Sequence, residues 1–296
     1  MRDAFSSYHP TVNLAYFAGI ILLSMLLLHP YFLVFSFLGG LAYFLRLRGR
    51  GALRFCFLFL LPLMAAAAVL NPLFNHAGVT ILAYLPDGNP VTLESICYGA
   101  AAAGMFGAVL LWFACCGDVM TSDKWIYLFG RIFPAQSLLL SMALRFIPRY
   151  QMQAGVISRS QACLGRGATG KGILRKARGG LRILSILTTW ALENAIETAD
   201  SMKARGYGLP GRTSFSLFRF DGRDRIVFFI LMGLAAAAFW GLAAGAAGIR
   251  FFPSIHLPET TPSVVAIRIL YPVLCFLPLI LDAAEELQWT YIRSRL

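Results

Sequence analysis

Long apolar runs dominate this chain and fix the solvent in which it can fold. A bilayer span needs about 20 mostly apolar residues, and runs of that kind recur at 12–28, 31–45, 53–70, 93–116, 226–248 and 264–281. Only 14% of the residues are charged and 58% are hydrophobic, whereas a soluble domain carries about a quarter charged, so an ordinary soluble protein is excluded. Backbone polar groups in lipid must be satisfied within each segment, which leaves helices for runs of this length. The expected fold class is all-α: a polytopic membrane protein with about six transmembrane helices and a cytoplasmic helical insert. Its expected parts are N-terminal membrane helices at 1–117, the insert at 118–225 and C-terminal membrane helices at 226–296. The first two runs are short, covering only about 23 to 26 Å. His29-Pro30 interrupts them where a helix should break, so 12–45 reads as two tight spans or as a hairpin dipping into the membrane. A signal peptide is a poor reading of the first run, because no small-residue cleavage site follows it and more spans come after.

The net charge of +12 is clustered, and the positive-inside rule turns its placement into sidedness. Arg46, Arg48, Arg50 and Arg54 lie between the second and third runs, whereas the linker 71–92 carries Asp87 and no Lys or Arg. The first of these loops is expected in the cytoplasm and the second outside. Alternation then places 117–225 inside, where Lys124, Arg131 and fifteen basic residues from Arg145 to Arg225 lie. The loop 249–263 with Arg250 falls outside, and the tail with Arg293 and Arg295 returns inside, so both termini are expected to be cytoplasmic. Because sidedness accounts for the basic clusters, no nucleic-acid partner is expected; the expected surroundings are the lipid bilayer.

The insert is too apolar to be a solvated linker. Pro134–Tyr150 is an apolar run interrupted by Pro148, too short at 136–147 to span, and it is expected to lie in or under the interface. A second helix is expected from about Tyr150 to Leu164, ended by Gly165-Arg166-Gly167, and a third at about 181–204, ended by Ala204-Arg205-Gly206-Tyr207-Gly208. An arginine in a last turn is by itself an ordinary complement to the helix dipole. Two helices of one insert that both finish in Arg-Gly, at Arg166 and Arg205, suggest two projecting guanidiniums that act as equivalent plugs. Arginine suits a carboxylate-lined groove because its planar fork bonds bidentately and keeps its charge. Glu193, Glu197 and Asp200 share one face of the third helix, either as a solvated face or as partners of neighbouring basic residues.

Other chemistry is poorly supported. Gly165 to Lys171 matches G-x-x-x-x-G-K, but Gly172 stands where a Mg²⁺-binding hydroxyl would be. The same glycines match G-x-G-x-x-G after a helical pattern, which is the wrong context for a dinucleotide fold. The six cysteines, Cys56, Cys97, Cys115, Cys116, Cys163 and Cys275, read as small hydrophobes. His9, His29, His76 and His256 lack metal-site spacing. No metal, cofactor or catalytic residue is expected. Arg268 is the one charge well inside a run, near enough to its end to snorkel, and an ion-coupled carrier would show more such groups. Energy for any transport is thus expected from outside the chain.

Glu197-Thr198-Ala199-Asp200-Ser201-Met202-Lys203-Ala204-Arg205-Gly206-Tyr207-Gly208, then Arg212-Thr213, together with Leu144-Arg145-Phe146-Ile147-Pro148, resemble the transmembrane T component of energy-coupling factor (ECF) transporters, the EcfT/CbiQ family. The first motif departs from the pattern, with Gly165 in place of alanine before Arg166-Gly167. The resemblance implies an ABC-type importer of vitamins or transition-metal ions in which this subunit is a non-catalytic scaffold in the bacterial plasma (inner) membrane. It implies two cytoplasmic ABC ATPase subunits as partners, contacted through Arg166, Gly167, Ala204, Arg205 and Gly206. It also implies a small membrane S component that binds substrate and rests on the coupling helices, with Arg145, Pro148, Glu193, Glu197 and Asp200 supporting them. A self-contained permease with a regulatory insert is the competing class. A membrane enzyme would need a nucleophile or acid/base pair, and the insert has no His and one Cys, Cys163.

Overall fold

The computed structural model describes residues 3–84, 89–165, 172–210, 218–243, 245, 249, 251–253 and 262–295. The chain forms two compact units, Met1–Lys124 with Phe218–Leu296, and Trp125–Leu217. The fold is all-α apart from one small hairpin, and the protein is a multi-pass membrane protein. Among the described residues, five helices are long and apolar enough to cross a bilayer, and the 17-residue Pro10–Leu26 is a shorter apolar helix beside them.

In the first unit, α1 (Pro10–Leu26) and α2 (Pro30–Arg48) are separate helices. Each begins with a His-Pro pair. The imidazole Nδ1 of His9 accepts from the Thr11 N–H at 3.3 Å and that of His29 from the Tyr31 N–H at 3.2 Å, while the proline fills the first helical position, where no N–H is needed. His29-Pro30 thus starts a helix where the sequence suggested a break. The third run is α3 (Arg50–Phe55), a π-helical turn at Cys56–Leu60 and α4 (Leu61–Phe74) in one continuous rod. The linker after it folds as an antiparallel hairpin of β1 (Ile81–Tyr84) and β2 (Pro90–Thr92), with Tyr84 opposite Pro90. Thr92 then caps α5 (Leu93–Val119) by accepting from the Ser95 N–H. Buried Glu94 accepts from the Thr80 hydroxyl at 2.8 Å, which holds the hairpin against α5. The fifth and sixth runs are α9 (Gly222–Ala243) and α10 (Pro262–Arg295), the latter extending well beyond the apolar run.

Helices in lipid gain little from apolar burial, so close packing at small residues and interhelical hydrogen bonds hold them together. At Gly39 an added Cβ would lie 3.0 Å from the Cys275 carbonyl oxygen, bringing α2 and α10 nearly into backbone contact. Gly99 does the same for α4 and α5, 2.8 Å from the Ala68 carbonyl oxygen, and Gly241 seats Ile267 between α9 and α10. Ser24, Ser36, Tyr271 and Trp112 form a buried polar cluster joining α1, α2, α10 and α5. Its hydroxyl pair lies at 2.7 Å, and the Trp112 indole N–H donates to Ser36 at 3.0 Å.

At one end of this bundle the charges pair. Arg46 donates to Asp282 at 2.7 Å and pairs with Glu286, while Arg48 forks onto Asp118 at 2.6 and 2.7 Å. Beneath these ends runs the N-terminal segment, with a 3-10 turn at Phe5–Ser7. The Ala4 N–H donates to Asp282 at 2.9 Å, and the Tyr43 hydroxyl to Asp3 at 2.5 Å. The buried Lys124 ammonium donates to the carbonyls of Ser6 (2.7 Å) and Val119 (3.0 Å). Asn13, its amide oriented by these neighbours, accepts from Lys124 at 2.9 Å, which completes the ammonium's three donors. Burial lowers the Lys124 pKa, opposed by the charge of Asp3, and burial raises that of Asp3. Farther along, the His9 N–H donates to Asp224 at 3.3 Å, His9 packs edge-on against Phe220, and Arg223 lies over the Tyr8 ring at 4.3 Å.

Candidate functional site

The second unit contains most of α6 (Ser122–Ile132), and all of α7 (Pro134–Cys163) and α8 (Ile173–Ala204). The expected break at Pro148 does not occur, and α7 is one helix of 30 residues. Proline removes the N–H that would bond the Leu144 carbonyl, yet the two side chains that follow it are fastened to α8. Arg149 donates to the Asn194 side chain at 2.7 Å and lies over the Trp190 ring, and Tyr150, stacked on Phe146, meets Trp190 edge to face. Contacts spaced along a long helix outweigh one missing ladder bond. α8 begins at Ile173, eight residues before its expected start at 181.

Between α7 and α8 lies a groove of about 750 Å³, lined among others by Arg145, Pro148, Arg149, Glu197, Met202 and Arg205. Four residues singled out in the sequence, Arg145, Pro148, Glu197 and Arg205, therefore converge on it. Glu193 and Asp200 are exposed and do not line it. Three guanidiniums against one carboxylate bias the groove toward an anionic occupant. Arg145 and Arg205 form no ion pair among the described residues.

The end of α8 explains how Arg205 is held. Arg205 is the C-cap, and Gly206 follows at φ +82°. The Gly206 N–H donates to the Lys203 carbonyl and the Tyr207 N–H to the Met202 carbonyl, both at 3.0 Å. This pair of bonds is a Schellman motif, which needs a left-handed residue just past the cap and so favours glycine. Ala204 is the last helical residue. The end of α7 carries the same kind of cap with its arginine in another register: Leu164 is the cap and Gly165 takes the positive φ, donating to the Ala162 carbonyl at 3.0 Å. Measured from the helix, Arg205 is thus the cap itself, while Arg166 comes two residues after the cap. Arg166 and Gly167 lie outside the described residues, as do Asp87, Gly170, Lys171, Arg212, Thr213, Arg250 and His256.

The rest of α8 is amphipathic in an unusual sense. Gly179, Trp190 and Asn194 face α7 or are partly covered, whereas Leu174, Leu181, Leu192 and Ile196 are exposed, Leu174 by 88%. α6 carries Trp125 and Phe129 stacked one turn apart, an i, i+4 signal that was legible in the sequence. Among the described residues no group of three or more His, Cys, Asp or Glu side chains is placed to hold a metal ion.

The chain is similar to proteins named energy-coupling factor transporter transmembrane protein EcfT. It is 34% identical over 105 residues to that of Brevibacillus brevis, covering 35% of this chain and 40% of the relative. It is 32% identical over 105 residues to that of Bacillus subtilis, with the same coverage. The EcfT of Lactobacillus helveticus is 32% identical over 102 residues, covering 33% of this chain and 37% of the relative. The chain spans about 40% of the length of the curated relatives it matches. No protein-family model matches it.

Proposed function

We propose that this chain is the transmembrane scaffold and coupling subunit of an ECF-type ABC importer. In this reading, two cytoplasmic ABC ATPase subunits hydrolyse ATP, and their motion passes through α7 and α8 to a small membrane S component that binds a vitamin or a transition-metal ion. The chain itself is non-catalytic and needs no cofactor. It lies in the bacterial plasma membrane, with both termini and residues 118–225 on the cytoplasmic side, where the Lys/Arg bias would place them.

The observation that carries the reading is the end of α8. A cap fixed by two backbone hydrogen bonds sets an arginine that forms no ion pair among the described residues at the edge of a positively biased groove, an arrangement suited to a partner whose surface offers carboxylates. Arg205, with Ala204 and Gly206, would dock one ATPase subunit, and Arg166 with Gly167 the other. Arg145, Pro148, Glu193, Glu197 and Asp200 would support the coupling helices. The exposed leucines and isoleucine of α8 give an apolar face that needs a cover, and the S component supplies one. The similarity to proteins named EcfT supports the same assignment.

The test is co-purification from solubilised membranes. Tagged wild type should retain ATPase subunits, and the Arg166→Glu/Arg205→Glu variant, still folded and inserted, should not. Truncating a buried interface arginine costs about 2 kcal/mol or more, and reversal adds like-charge repulsion, so Arg205→Glu should impair assembly more than Arg205→Ala. Wild type that retains no ATPase overturns the reading in favour of a self-contained permease.

A further inference from the structure

The chain passes from the first unit into residues 125–217 after Lys124 and returns at Phe218. Both roots are fastened to one short stretch of chain. At the outgoing root, Lys124 is anchored to the Ser6 carbonyl at 2.7 Å and to Asn13 at 2.9 Å. At the returning root, Asp224 accepts the His9 N–H at 3.3 Å, Phe220 packs on the His9 ring, and Arg223 lies over Tyr8 and donates to the Ser7 hydroxyl at 3.2 Å. Ser6 and His9 are three residues apart, so the two roots are tied within the reach of about 10 Å of chain. The same stretch is pinned from its other side by Asp282 on α10 and Tyr43 on α2. Apart from the bond to Val119, none of these root contacts is made by the helices that carry the roots to one another; the shared element is the N-terminal segment, continued by the first turn of α1, which holds Asn13.

We propose that residues 3–9 are a strap that joins the two roots of the 125–217 unit, so that Lys124 and Asp224 are positioning residues through which both roots respond as one. The proposal rests on the coupling reading for its purpose, since a coupling region levers against the membrane helices only if its roots do not splay. Its physical content is independent of that reading. Lys124 is buried and three-fold bonded, and an ordered root of this kind resists local opening.

The experiment is amide hydrogen exchange on the full chain held in detergent or nanodiscs. Lys124→Met removes the outgoing anchor and leaves the side-chain volume nearly unchanged. Exchange should rise about tenfold, the loss expected for one charged hydrogen bond or more, at residues 119–126 and also at 218–226, which Lys124 does not touch. Arg223→Ala, made from the returning side at an exposed guanidinium, should loosen 119–126 as well as its own root. Exchange in α2 and in residues 93–115 of α5 should be unchanged. If each variant loosens only its own root, the strap is overturned and the two anchors are local. If Lys124→Met loosens the whole bundle, Arg223→Ala decides. Because exchange is read without ATPases, a response at one root overturns the strap alone, and failure of wild type to retain ATPases overturns the coupling reading alone.

Discussion

Gly206→Ala is the sharpest test of how Arg205 is presented. Gly206 sits at φ +82°, where an L side chain costs about 1 to 2 kcal/mol. The added Cβ would lie 3.1 Å from Leu209 Cδ1, but Leu209 is 67% exposed and its side chain can turn away, so the backbone dominates. A cost of that size lowers the ratio of capped to opened helix end about 5- to 30-fold. The two bonds at risk are the N–H groups of residues 206 and 207, which donate to Lys203 and Met202, and their exchange should speed up by that factor. On the proposed coupling role, retention of ATPase subunits should weaken by no more than the same factor, because only the population presenting Arg205 changes. Gly180→Ala is the control on the same helix: nothing lies within 4 Å of the added carbon and its φ is ordinary, so it should leave the cap alone and favour the helix by up to about 1 kcal/mol. Unchanged exchange at 206 and 207, or equal damage from Gly180→Ala, would refute the cap argument.

Two further outcomes follow from the bundle. Gly39→Ala places a carbon 3.0 Å from the Cys275 backbone oxygen, so α2 and α10 must separate; overpacking of this kind costs about 1 to 3 kcal/mol, and the thermal midpoint in detergent should fall, whereas Gly104→Ala, with open space, should not move it. His9 should make the N-terminal segment acid-sensitive: burial lowers its pKa from the ordinary 6.5, outweighing the opposing pull of Asp224, so the neutral ring favours the folded state. That contribution is present above 6.5 and is lost as pH falls through the lowered value. Protonation also removes the Nδ1 acceptor that caps Thr11. Melting temperature should therefore decline on acidification below pH 6.5, and His9→Asn, which keeps a capping oxygen, should flatten the decline.

What the sequence disclosed follows from the range over which each signal acts. The apolar runs locate the five long apolar helices and the shorter Pro10–Leu26 because lipid imposes length and hydropathy locally. Their ends were less legible. His29-Pro30 reads as a breaker and the helix does break before it, α1 ending at Leu26, but that the same pair then supplies the cap and first residue of α2 shows only in the backbone after it. Pro148 also reads as a breaker, but its neighbours Arg149 and Tyr150 hold on to Asn194 and Trp190, partners forty or more residues away. The N-terminal anchors are more remote still, with Ala4 bonded to Asp282 and Ser6 to Lys124, and no periodicity in a run of ten residues encodes such pairs. In the candidate site, Arg205 and Gly206 were legible because a helix-ending Arg-Gly is a local pattern. Arg149, the arginine that ties the two helices together, was missed because its importance lies in Asn194 and Trp190.

The two Arg-Gly pairs look alike as strings but relate differently to their helices. In α8 the left-handed glycine follows the arginine, so Arg205 is the cap that directly follows the last helical residue, and its position is set by the Schellman bonds from Gly206 and Tyr207. In α7 the left-handed glycine precedes the arginine: Gly165 reverses the chain after the Leu164 cap, and Arg166 comes after that reversal. A force applied at Arg205 is therefore carried directly along a 32-residue helix, whereas one applied at Arg166 must pass through the turn at Gly165 before it reaches α7. On the coupling reading the two docking arms are then mechanically unequal, although each offers the same guanidinium. Substituting alanine for Gly165 would not restore equality without cost, since φ +70° is as unfavourable for an L side chain there as at Gly206. The residue before Arg166 is the helix-ending glycine itself, and the local backbone requires it there.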